Sequence, residues 1–428
     1  MSTKKSSGKT KTGKQIRLRM YNVGFGDCFL LRIPTDDGER RMLVDCGYHS
    51  QGKAEFTDID LVKQIVADLK DEPLDVVVAT HRHQDHISGF GETDLWTPVK
   101  VEEVWLPFTA DPEAAKSEPA LRAWEGLMDA ARGLWDDEKK QLTPVAVSAL
   151  SARDPGEQQE AAFMVWNARK NAPGIANLLT GMKRGDGRPS RRRFLPQARK
   201  KYPTHFTTPV LPGVKIHVLG PPVDPVFRKN KKVPESWAFG DGTASPGDPI
   251  DSCFPPEWRV PTERLPDRKP FTNSKLKSIR QFNDDLLYAV KALDGFINGE
   301  SLVLVLEIGK ARLLLTGDAE VGAWMTILGN EAALALAASA TFVKVGHHGS
   351  HNATPIVFVR EHLAKAVPAI LSTQAGDESF RNGIPLQELL DAMTARKMPF
   401  VRSDDPVAVQ GLFEPDPDGK WVDCFIPC

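Results

Sequence analysis

The segment "ATHRHQDHISGF", Ala79 to Phe90, places His81, His83, Asp85 and His86 within six positions. The chain has ten histidines in 428 residues, so this grouping asks for a chemical reason. Imidazole and carboxylate together suit zinc, manganese or iron, and a set without thiolates differs from a purely structural zinc site. Three further places deliver a polar residue after an apolar run: Asp45 in "LVDCG", Asp318 in "LLLTGDAE", and His347 with His348 in "VKVGHHGS". Six or seven such ligands exceed one tetrahedral shell, so two divalent ions, Zn²⁺ or Mn²⁺, are expected. Two neighbouring ions can share a bridging hydroxide and stabilise both the attacking and the leaving oxygens of a hydrolysis.

To converge, these residues need strands that end at one edge. "KQIRLRMYNVGFGDCFLLRIP" alternates as two strands joined at Gly24 and Gly26, and "RRMLVDCG" is a third strand ending at Asp45 and Gly47. "TDIDLVKQIVADLK" reads as a helix capped by Thr57, with Ile59, Val62, Ile65, Val66 and Leu69 on one face. "LDVVVAT" is a buried strand that runs straight into the histidine cluster. Later strands are "VKIHVLGPP", a hairpin "SLVLVLEIGKARLLLTGDAE" turning at Gly309, "TFVKVGHHGSHNAT" and "VPAILST", with helices from about Glu320 and in "IPLQELLDAMTARK". Polar residues at the carboxyl ends of buried strands are how open α/β sheets build ligand sites.

The hydrophobic fraction of 41% and charged fraction of 26% fit a globular protein, and a net charge of −1 gives no global attraction to nucleic acid or membrane. Five scattered cysteines without a CxxC pair suit a reducing compartment, and a cytoplasmic protein with no membrane partner is expected. Residues 1–14 read as a disordered basic tail. Gly8, Gly13 and Lys14 imitate a phosphate-binding loop, but Gln15 replaces the magnesium-holding Ser or Thr, and no strand precedes them. One domain is expected over 15–428, with a mostly helical insertion at 106–208 and a proline-rich, loop-like insertion at 223–278. Trp124, Trp135 and Trp166 fit core positions of the helical insertion.

The order of these motifs resembles the metallo-β-lactamase fold superfamily, whose HxHxDH signature matches "THRHQDHISG". The likeness is closer to the soluble hydrolase domain of ComEC-type DNA-uptake proteins, through "NVGFGDCFLL", "LVDCG", "SLVLVLEIGKARLLLTGD" and "VKVGHHGS". It covers roughly Arg17 to Trp105 and Lys215 to about Ser372, without the channel part of such proteins. The resemblance implies an αββα sandwich with metals at one edge. It implies that His81 and His83 bind a first metal, and that Asp85, His86 and His347 bind a second. Asp318 would bridge the two, and Asp45 would support the cluster from behind. Asp85, His348 and His351 become the expected catalytic residues, with Ser350 beside them as a substrate contact.

The superfamily's third-motif histidine should follow "VKIHVLGPP", where this chain has Gly220 and two prolines; His217 and His205 lie near but do not match. The basic stretch from Lys183 to Lys201, including Arg191, Arg192 and Arg193, would attract a nucleic-acid backbone. The expected function is therefore metal-dependent cleavage of phosphodiester bonds, with DNA as the substrate. Two alternatives remain open. One is a hydrolase of a lactone, a phosphocholine ester or a cyclic nucleotide; the other is a metal- or partner-binding module with weakened catalysis.

Overall fold

The apolar run "LDVVV" forms a strand whose five residues are all buried, because both faces of its sheet are covered. The computed structural model describes residues 14–48, 55–117, 133, 135–136, 141–143, 171–197, 201–224, 227–228, 297–374 and 384–428. The first strands are β1 (Gln15–Tyr21), β2 (Phe29–Thr35), β3 (Gly38–Val44), β4 (Leu74–Val78) and β5 (Val101–Pro107). A two-residue ribbon, β6 (Trp135–Asp136) with β7 (Gln141–Leu142), is followed by β8 (Arg191–Leu195), β9 (Thr204–Phe206) and β10 (Val214–Gly220). Then come β11 (Val303–Ile308), β12 (Ala311–Leu315), β13 (Phe342–Lys344) and β14 (Ala369–Leu371). β15 (Phe400–Arg402), β16 (Phe413–Pro415) and β17 (Trp421–Pro427) complete the set.

One sheet runs β16-β17-β1-β2-β3-β4-β5-β8 and the other β15-β14-β13-β12-β11-β10-β9. β3, β4 and β5 pair in parallel, as do β12, β13 and β14. Parallel pairing sends consecutive strand ends to the same edge, and here those ends lead to Asp45, the histidine cluster, Asp318 and His347. The convergence expected of the four motifs thus follows from strand direction.

Strand periodicity sorts the core into layers. Leu304 and Leu306 of β11 face between the sheets with Phe29, Trp105 and Phe342. Val303 and Val305 face outward, against Trp324 and Ile327 of the helix Val321–Leu328 and Leu389 of the helix Gln387–Ala395. On the opposite flank, Val77 and Val104 pack on Leu61, Val62 and Ile65 of α1 (Asp58–Leu69). Helix, sheet, sheet, helix: this is the αββα sandwich expected from the sequence. Short helices α2 (Gln84–Ile87), α3 (Thr93–Trp96) and α4 (Pro112–Ser117) follow the first motif loops. α5 (Val321–Leu328), α6 (Glu331–Ala338) and α7 (Gln387–Ala395) cover the second sheet. Among the described residues no single helix is long and apolar enough to cross a membrane.

Three local readings change. Thr57 caps α1 by accepting from the Asp60 N–H, as expected, but Ile59 is 45% exposed. The buried face is Leu61, Val62, Ile65 and Leu69, with Asp58 turned inward to take a 2.6 Å hydrogen bond from Ser88 Oγ. Trp135 lies in a strand ribbon rather than a helix. "RRRFL" is β8, an edge strand of the first sheet, and β9 is the edge of the second. About half of the helical insertion and nearly all of the proline-rich one, with Trp124 and Trp166, lie outside the described residues, as does the tail up to residue 13.

Trp105 is fully buried between the sheets, and its indole N–H donates to Glu103 at 3.0 Å. Trp105→Ala is expected to cost about 3–5 kcal/mol. Urea unfolding of the metal-free chain measures this directly.

Candidate metal centre

Close backbone approach assembles the centre. Gly317 has φ +51°, and a side chain there would come within 3.0 Å of Thr80. Its absence lets the loop after β12 abut the loop after β4, where the Leu302 N–H also donates to the Thr80 carbonyl at 2.9 Å. Gly26 does the same for the first hairpin, since a Cβ there would fall 2.8 Å from the Asp85 carbonyl. Asp45, His347 and His348 all hold positive φ, at 57°, 45° and 55°. Such conformations cost of order 1–3 kcal/mol each and persist where the surroundings impose them, commonly at functional sites.

Four side chains result: one ligand atom each from Asp85, His86, Asp318 and His348 lies within 4.8 Å of the others. His86 Nε2 is 3.1 Å from Asp318 Oδ2, and His348 Nε2 is 3.3 Å from Asp85 Oδ2. Two imidazoles and two carboxylates in this spacing fit a divalent ion with borderline preference. His86 Nδ1 meets Asp45 Oδ2 at 2.8 Å, and Asp45 also accepts from the Thr80 N–H and hydroxyl at 2.7 and 2.6 Å. A carboxylate behind a ligand histidine fixes its ring and raises its basicity. Asp45→Asn is expected to weaken metal binding by about 10–100-fold while leaving the fold intact. Chelator competition checks the first part, circular dichroism the second.

The charges are interlocked. Burial disfavours the His86 imidazolium, but Asp318, Asp45 and Asp85 outweigh it and hold the pKa well above the ordinary value. His348 is also raised: burial opposes its charge, and Asp318 with Asp85 prevails. Burial likewise opposes ionisation of Asp85 and Asp318, yet His86 and His348 hold both carboxyls well below the usual range. His81 differs: burial, helped by His86 and His83, keeps it well below the ordinary value, so it is neutral. Its Nε2 lies 3.1 Å from His83 Nδ1, and its ring centroid 4.0 Å from that of His86. His81 and His83 therefore sit beside the four-residue set. Among the described residues no third histidine, cysteine or carboxylate completes a separate site around them.

The two tandem histidines part company. His348 joins the four-residue candidate set, whereas His347, expected there, does not. The His347 side chain is 24% exposed, with Nδ1 3.0 Å from Ser350 Oγ and Nε2 3.4 Å from Asn298. Ser350 is thus engaged with His347 and with Asn352. His351 is exposed and is not drawn into the cluster. His217 faces Glu307 at 3.0 Å, with His205 beside it, so neither supplies the absent third-motif histidine. Arg193 makes a two-point pair with buried Glu103 at 2.7 and 2.9 Å. Arg192 donates to the carbonyls of Leu178 and Ser190, and Arg191 is half exposed beside Glu102.

Two charged residues escaped the sequence reading. Lys344 and Asp27 form a buried ion pair, and Lys344 Nζ also reaches Asp318 Oδ1 at 3.2 Å. Burial lowers the Lys344 pKa, but Asp27 and Asp318 more than reverse this and raise it to about 12. A lone lysine within the apolar strand "TFVKVG" was the available signal.

Residues 21–139 match the family model of the metallo-beta-lactamase superfamily. No curated protein sequence matches. Among solved structures, the metallo-beta-lactamase fold protein YhfI from Bacillus subtilis is similar at 9% identity, over 92% of this chain and 98% of that one, with a TM-score of 0.37. Zn²⁺-bound PqqB from Methylobacterium extorquens is similar at 10% identity, over 90% of this chain and 87% of that one, with a TM-score of 0.35. The matched stretch, residues 21–139, holds Asp45, His81, His83, Asp85 and His86, so the likeness to the metallo-beta-lactamase superfamily falls on the part of the αββα sandwich that supplies much of the His/Asp cluster.

Proposed function

We propose that the protein is a metal-dependent phosphodiesterase acting on DNA, akin to the hydrolase domain of ComEC-type proteins. The observation that carries the reading is the gathering of Asp85, His86, Asp318 and His348 at one sandwich edge, with His81 and His83 adjoining. The choice of phosphodiester rests on the order of sequence motifs, above all "NVGFGDCFLL" and "VKVGHHGS". The four-residue set would hold one divalent ion, Zn²⁺ or Mn²⁺, and His81 with His83 would contribute to a second. Such ions polarise a phosphoryl oxygen and make water nucleophilic at neutral pH.

The chain's own residues supply the rest. Asp45 holds the His86 ring by Nδ1, leaving Nε2 for the ion. His347, more exposed than His348 and held by Ser350 at Nδ1, would hand a proton to the departing oxygen. Arg191 is the half-exposed member of the basic strand and the one best able to meet a phosphate.

One observation favours the small-molecule alternative: Arg192 and Arg193 are spent on carbonyls and on Glu103. The test is cleavage of labelled single- and double-stranded DNA with Mn²⁺ or Zn²⁺, by wild type and by His83→Ala combined with Asp85→Ala. Metal-dependent cleavage that falls steeply with salt and vanishes in the double variant supports the nuclease. Metal uptake with DNA left intact at every salt concentration transfers the reading to small esters.

A further inference from the structure

Lys344 closes β13, and its side chain is 2% exposed. A lysine so deeply buried stays charged only among anionic and carbonyl partners. Its ammonium has three: the Asp27 carboxylate, Asp318 Oδ1 at 3.2 Å and the Gly317 carbonyl at 2.9 Å. An ammonium has three hydrogens, so all of its donors are used.

The consequence falls on Asp318, whose two oxygens are divided. Oδ1 takes Lys344 and the His347 backbone N–H, at 3.2 and 3.1 Å. Oδ2 faces His86 Nε2 at 3.1 Å and His348 Nε2 at 3.6 Å. We propose that Lys344 is a positioning residue of the metal centre: its ammonium pins Asp318 Oδ1 so that Oδ2 alone is presented to the ion. This rests on the metal-centre reading, and not on the choice of substrate. It also gives Asp27 a role, because Asp27 anchors Lys344 from the hairpin whose N–H bonds the Asp85 carbonyl at 3.0 Å.

The sign of one effect separates positioning from mere charge balance. By Coulomb's law alone, removing a cation beside the centre tightens binding of a dication. Losing the orientation of a ligand weakens it. The metal-free full chain is titrated with Co²⁺ against a chelator, following the visible absorption band. Lys344→Met is expected to weaken Co²⁺ binding at least tenfold and to alter the band, as Asp318 turns. Asp27→Asn, which keeps the Lys344–Asp318 bond, is expected to stay within threefold of wild type with an unchanged band.

Lys344→Met leaves buried Asp27 only the His86 ring, 3.8 Å away, and so risks misfolding. Lys344→Met combined with Asp27→Asn removes both charges and is expected to show the same weakening and the same altered band. Unchanged or tighter binding in the folded double variant overturns the proposal. So does an Asp27→Asn loss equal to that of Lys344→Met. A wild-type chain that takes up no Co²⁺ sinks the metal-centre reading itself, which is a different result.

Discussion

His86→Ala is expected to lower metal affinity by at least about a hundredfold, beyond the 10–100-fold that follows removal of a supporting carboxylate. The reason is its position. His86 lies fully buried with Asp45 at 2.8 Å on one ring nitrogen and Asp318 at 3.1 Å on the other, and Asp85 is 3.8 Å away. Alanine removes a ligand and also the cation that separates three carboxylates in the metal-free chain. Breaking one partner out of a buried charged pair costs about 3–5 kcal/mol. Both effects are read separately, by chelator competition and by urea unfolding of the chelated protein. Near-wild-type affinity in a folded His86→Ala chain would remove His86 from the ligand set.

The second large effect is on pH. His86 and His348 hold raised pKa values without an ion, so binding must displace their protons. Affinity is expected to climb about tenfold per pH unit for each proton released, through the neutral range. Stability of the metal-free chain has the opposite trend there. A histidine whose folded pKa is raised stabilises fully below its unfolded value of 6.5 and loses that contribution as pH rises through the folded value. Asp85 and Asp318 are depressed, so their contribution is present above 3.8 and is lost as pH falls through their folded values. The metal-free chain should therefore be more stable at about pH 5.5 than at about pH 8.5, and metal should reverse that order. Urea midpoints with and without metal at the two pH values decide it. Equal midpoints of the metal-free chain at the two pH values would mean that His86 is neutral in the folded chain.

Much of the site was legible in the sequence for a simple reason. Polar residues that follow buried parallel strands have few other places to go, so Asp45, His81, His86 and Asp318 could be read from strand ends alone. The tandem His347–His348 could not. Both follow β13 and both hold positive φ, yet only the His348 ring turns toward Asp85 and Asp318. Spacing carries no such information. Lys344 and Asp27 were missed because their partnership spans the two sheets and leaves only isolated charges in apolar runs. The pairing of Arg193 could not be read locally either, because Glu103, which holds it, lies 90 residues away in sequence. Ile59 was misplaced because the buried apolar face is formed by Leu61, Val62, Ile65 and Leu69, and Ile59 lies off it.

Where the ion sits can be seen by anomalous diffraction from crystals of the full chain soaked in Mn²⁺. The geometry requires a peak enclosed by Asp85, His86, Asp318 and His348, with Asp45 behind His86 and Lys344 on the far oxygen of Asp318. A well-ordered centre with no peak at those four residues, or with the ion bound elsewhere, would contradict the assignment of this edge as a metal site.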